Sequence, residues 1–104
     1  MANVKMKLVN PINLMMNFHI SDNEAALAKE LLERGDYKTV FTHQVNGLEG
    51  KAVAEEMFDL TNNPGRQEER EKVYGRGRSL SVGDIVEVDG VDYVCCSLGW
   101  KVVA

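Results

Sequence analysis

The chain has 104 residues, a formal net charge of −4, 44% hydrophobic side chains and 27% charged ones. A chain of this length makes one domain, residues 1–104, and buries about 60–70% of the surface it exposes when unfolded, enough for one modest core. The composition excludes a disordered chain and a coiled coil. No run reaches the ~20 apolar residues of a membrane span, and the acidic balance disfavours a generic polyanion binder.

Val4, Met6 and Leu8 alternate with Lys5 and Lys7, which predicts a strand with one dry and one wet face. The same alternation leaves no contiguous apolar stretch for a signal peptide. Asn10-Pro11 ends the strand, because proline donates no ladder bond. Residues 12–20 are apolar but mixed in period, and read as a buried connection or an irregular strand. Ser21-Asp22-Asn23-Glu24 predicts a helix start, with Ser21 capping a downstream amide and Glu24 reaching back as in a capping box. Ala25 to Arg34 then supplies a stripe of Leu27, Ala28, Leu31 and Leu32, closed by Gly35.

Tyr37, Phe41, His43 and Val45 fall on one face of a second alternating run, which Asn46-Gly47 turns. A second helix runs from about Gly50 to Thr61, its face formed by Val53, Met57 and Leu60 with Ala54 and Phe58. Asn62-Asn63-Pro64-Gly65 stops it. Arg66 to Lys72 reads as a short solvated helix, and Gly75 and Gly77 interrupt regular structure beyond it.

Near the C-terminus, Asp89-Gly90 signals a two-residue type I′ hairpin. That register sets Val88 opposite Val91, Val86 opposite Tyr93 and Asp84 opposite Cys95. It predicts a core face of Val86, Val88, Val91, Tyr93 and Cys95, with Trp100 from a last strand covering one end. Glu87 and Asp92 then oppose each other, an arrangement expected only where both are exposed. With strands joined by hairpins, the expected fold is α+β: a small, largely antiparallel sheet, two helices and a C-terminal hairpin plus last strand.

Cys95 and Cys96 are sequence neighbours, a poor geometry for a disulfide, so a reducing compartment is expected. Neighbours on a strand point to opposite faces, so the two thiols do not converge on one metal and read as packing residues. His19 and His43 read as half-buried packing residues. Glu55, Glu56 and Asp59 form one helical solvent patch, and Asp84 is placed to accept amides of the turn from Ser81. No catalytic residues, metal ligands or cofactor are expected, and the chain is read as no enzyme.

The best functional candidate is the cluster Arg66, Arg70, Lys72, Tyr74, Arg76 and Arg78. Arginines on a glycine-containing loop suit phosphate oxygens, and a tyrosine stacks on a base. Both residue types are also enriched at protein interface hot spots. Read as an exposed loop, Arg76 and Arg78 should be replaceable within about 0.5 kcal/mol of stability.

Phe58–Arg66 (FDLTNNPGR), Gly77–Gly90 (GRSLSVGDIVEVDG) and Tyr93–Trp100 (YVCCSLGW) resemble a family of small phage and mobile-element proteins, the YodL-like domains. The resemblance covers under half the chain and carries no catalytic residue. It implies cargo of a phage or plasmid in a bacterial host cytoplasm. The expected function is therefore a non-enzymatic accessory protein that binds a host macromolecule, a protein in the first instance. The alternative is a small nucleic-acid-binding module using the 66–78 loop.

Overall fold

The computed structural model describes residues 1–13 and 23–103. Its elements are β1 (Ala2–Val9), α1 (Glu24–Glu33), β2 (Tyr37–Val45), α2 (Lys51–Asn62), a 3₁₀ turn (Pro64–Arg66), α3 (Gln67–Val73), β3 (Ile85–Val88), β4 (Val91–Cys96) and β5 (Gly99–Val102). The fold is α+β. The sheet is antiparallel throughout, in the order β2-β1-β3-β4-β5. The apolar stretch expected at 12–20, His19 included, falls largely outside the described residues. Among the described residues no helix is long and apolar enough to cross a membrane.

The sheet is covered on both sides, and the cause lies in the sequence of β3. Ile85-Val86-Glu87-Val88 places Val86 and Val88 on one face, against Val53, Ala54, Met57 and Leu60 of α2. Ile85 goes to the other face, against Ala28 and Leu31 of α1, together with Val9, Val94 and Cys96. Trp100 covers one end of the α2 side, its ring edge-on to Phe58 at 6.3 Å.

The hairpin register is the one that Asp89-Gly90 demands: Val88 pairs with Val91, and Val86 with Tyr93. Asp89 (φ 48°) and Gly90 (φ 87°) both take the left-handed conformation of a type I′ turn. Val91, expected in the core, instead sits beside the tip and is 40% exposed. Glu87 and Asp92 do face each other, but they are half-buried rather than exposed. Lys7 makes this tolerable, with its Nζ 2.9 Å from each carboxylate. Burial alone would lower the Lys7 pKa; hydrogen bonds from the ammonium to Asp92 and Glu87 outweigh it and hold the value above its ordinary one.

Helix α1 starts differently from the expected capping box. Asn23 is the N-cap and accepts the Ala26 amide at 3.1 Å. Ser21 lies outside the described residues. Glu24 reaches across to accept the Ser97 amide at 2.8 Å, tying the helix to the β4–β5 turn. At the other end the Gly35 and Asp36 amides bond back to Leu32 and Leu31, closing the helix.

Strand β2 departs from strict alternation. Met6 pairs with Phe41 but Lys7 with Thr39, so Val40 is the extra residue of a β-bulge. The bulge turns Tyr37 to the α1 side, where its hydroxyl donates to the Gly83 carbonyl at 2.6 Å. Phe41 and Val45 stay on the α2 side.

Val88 is 2% exposed while Val91, its hairpin partner, lies in solvent. Val88→Ala should cost about 2 kcal/mol by lost burial and cavity formation. Val91→Ala should stay within about 0.5 kcal/mol. Urea melts of the two variants read the difference directly.

Candidate functional site

The residues of the 66–78 cluster have separate fates. Arg66, at the start of α3, forks onto both Glu56 oxygens at 2.8 Å and also reaches Asp59 at 2.8 Å and Glu69 at 2.8 Å. These hydrogen bonds, to Glu56 first, then Glu69 and Asp59, hold the Arg66 guanidinium above its ordinary pKa range. In return the hydrogen bond to Arg66 holds Glu69 below the ordinary carboxylate range. Glu56 and Asp59 are thus not a free solvent patch; they and Glu69 consume the charge of Arg66.

Arg78 is spent too. Its two terminal nitrogens donate to the two oxygens of Asp84, both at 2.8 Å, and one also reaches the Val9 carbonyl at 3.2 Å. Asp84 is fully buried. It accepts the Ser81 amide at 2.8 Å, as the sequence predicts, and also the Val9 amide at 2.9 Å. With Arg78 removed, a carboxylate at the centre of the fold would lose its counter-charge. The expectation that Arg78 is a dispensable loop cation is therefore corrected: it is a structural ion-pair partner.

Arg70 donates to the Gly77 carbonyl and lies 5.5 Å from the centre of the Tyr74 ring. Lys72 and Arg76 project into solvent, Arg76 with its side chain 90% exposed and 4.0 Å from Glu71.

What this segment builds is an aromatic ridge that the cluster alone does not reveal. The Tyr74 ring stands edge-on to Phe41 at 5.3 Å and 81°, and Phe41 is 5.4 Å from His43 at 30°. Tyr74 is fixed by its hydroxyl, which donates to the Arg78 carbonyl at 2.8 Å. Burial raises its pKa, so the phenol stays protonated. Gly77 fits against this ring: a Cβ there would lie 2.7 Å from the Tyr74 oxygen. His43 is exposed, not the half-buried packing residue expected. The spacing of Phe41 and His43, two apart on one strand face, is the sequence signal for their part of the ridge. Their meeting with Tyr74 is a tertiary contact that no local pattern encodes.

The cysteines are buried and unpaired. Burial pushes the Cys95 thiol up to about 12 and raises Cys96 as well. Among the described residues no group of three His, Cys, Asp or Glu comes together to hold a metal.

The fold and the ridge define a small α+β domain with an aromatic surface strip, one ring of which, Tyr74, lies in sequence between the exposed Lys72 and Arg76. No family model, curated protein or solved structure matches the chain.

Two outcomes are expected. Arg78→Ala should destabilise the protein by about 3 kcal/mol, because it strands a buried carboxylate, while Arg76→Ala should stay within about 0.5 kcal/mol. Urea melts separate them. Because the raised thiol pKa values leave both cysteines protonated at pH 8, an aromatic disulfide reagent should label neither quickly in the native protein and both after denaturation.

Proposed function

We propose that the protein is a non-enzymatic accessory protein of a phage or other mobile element, working in the bacterial cytoplasm by binding a host protein. Its contact surface is the ridge of Tyr74, Phe41 and His43, with Arg76 and Lys72 at the rim. The resemblance of Phe58–Arg66, Gly77–Gly90 and Tyr93–Trp100 to YodL-like proteins supports the setting.

The ridge is the observation that carries the binding reading. Its rings are held against each other and by the Tyr74–Arg78 hydrogen bond before any partner arrives. A preordered aromatic centre loses little side-chain freedom on binding, and tyrosine and arginine are favoured hot-spot types. The charge arrangement favours protein over nucleic acid, since Arg66 and Arg78 are already paired within the fold.

The second reading is binding of single-stranded nucleic acid. It is favoured by one feature: exposed His43 beside Phe41 on a sheet offers a base a stacking surface, and Lys72 and Arg76 are open to phosphates. With two phosphates neutralised on a single strand, log K should fall with log salt at a slope of about 1.4.

Affinity capture from bacterial lysate, with wild type beside an Arg76→Ala/His43→Ser double variant, tests the first reading. The expected result is one stoichiometric protein, bound at least about 30-fold more weakly by the double variant, the loss typical of a hot spot. Capture that the double variant retains in full, or saturable turnover of any substrate by the purified protein, overturns it. Nucleic acid in the eluate, released by salt with that two-phosphate slope, selects the second reading.

A further inference from the structure

We infer that the protein forms a two-fold dimer in which residues 41–45 of β2 pair antiparallel with the same segment of a second copy, joining two sheets into one. This goes beyond the binding reading and stands independently of it.

Strand β2 ends the sheet order, and its outer side has no strand neighbour among the described residues. Which of its backbone groups face outward is set by the hydrogen bonds of β1. The Asp89 amide donates to the Asn3 carbonyl at 2.9 Å, so Asn3 turns its polar groups toward β3. Backbone direction alternates along a strand, so Ala2, Val4 and Met6 turn toward β2. Their opposites Val45, His43 and Phe41 therefore turn inward to β1. Thr42 and Gln44 are left with N–H and C=O aimed away from the sheet, one on each side of His43.

This pattern is symmetric about His43. A two-fold axis there places Thr42 against Gln44 of the second copy and Gln44 against its Thr42, and each such pair exchanges both backbone hydrogen bonds. The side chains agree with the same register. Phe41 meets Val45 on the α2 side, and Thr42 meets Gln44 on the other. His43 meets its own copy at the axis. An isologous contact needs self-complementarity at every pair, and this register supplies it.

The segment also lacks the devices that protect sheet edges. It contains no proline and no Asp, Glu, Lys or Arg, although the chain as a whole carries −4. The edge-guarding features of β2, Lys38 and the bulge at Val40, both lie outside 41–45. Pairing here meets no like-charge opposition, and it brings the two ridges side by side on one face.

Sedimentation velocity over a concentration series should show wild type moving to twice the chain mass as concentration rises. Thr42→Pro removes an outward amide that has no strand neighbour among the described residues, and His43→Lys sets two ammonium groups face to face at the axis. Both variants should sediment as monomers while keeping a cooperative urea melt. Register is read by cross-linking. At the axis the two Cα atoms lie about 4.5 Å apart, within disulfide range. Diamide should therefore convert the His43→Cys variant to a covalent dimer and leave Lys38→Cys uncoupled, and the native thiols are buried. Wild type that stays monomeric at its highest soluble concentration overturns the proposal. So does a dimer unchanged by His43→Lys, or equal cross-linking from both cysteine variants. A dimer that captures no host protein leaves this inference standing and removes the binding reading; a monomer that captures one does the reverse.

Discussion

The buried carboxylate of Asp84 is the point at which the 78–81 loop is locked onto the sheet. Each of its oxygens accepts one Arg78 nitrogen and one backbone amide, from Val9 on one side and Ser81 on the other. A carboxylate has room for about four hydrogen bonds, so its capacity is filled. Taking such a charge out of water is tolerable only with partners of this quality, and loss of either ion leaves the other uncompensated. The bonds fasten the end of β1, the 78–81 loop and the entrance to β3 at one point. The ridge inherits its position from the same point, because Tyr74 is anchored on the carbonyl of Arg78.

A second constraint comes from covering both faces of one small sheet. Val86 and Val88 serve α2 while Ile85 serves α1, so β3 is apolar on both sides and sits well inside the sheet. Toward β2 the cover on the α1 side gives out, and polar side chains take over: Lys5 and Gln44 are exposed, and Lys7 bridges Glu87 and Asp92. The bulge at Val40 marks this boundary, sending Tyr37 to one layer and Phe41 to the other.

Elements whose cause is local were legible in the amino-acid sequence. Asp89-Gly90 sets a hairpin register by backbone conformation alone, and the apolar stripes of α1 and α2 point to their buried faces. What was not legible lay in partners distant in sequence or direction. Val40 beside Phe41 breaks the alternation, but nothing local says whether the strand bulges or simply exposes a valine. Arg78 looks like its neighbour Arg76 in any count of charge, yet one side chain turns inward to Asp84 and the other out to water. Glu87 and Asp92 face each other by hairpin register, while the cation that reconciles them comes from β1. The ridge was half visible: Tyr74 lay in the basic cluster, but Phe41 and His43 belong to a strand some thirty residues earlier.

The position of β1 has a bearing on the order in which the fold assembles. The first strand of the chain lies inside the sheet, between β2 and β3, and one of its two partners begins only at Ile85. During synthesis β1 and β2 can pair early, but the apolar face they share stays uncovered until α2 is made, and the other side of β1 stays open until β3 leaves the ribosome. Long-range closure of this kind slows folding relative to helical proteins of equal size, and transient open edges invite association with other chains. The nascent protein therefore passes through a stage with two bare β edges, one of which the finished fold removes.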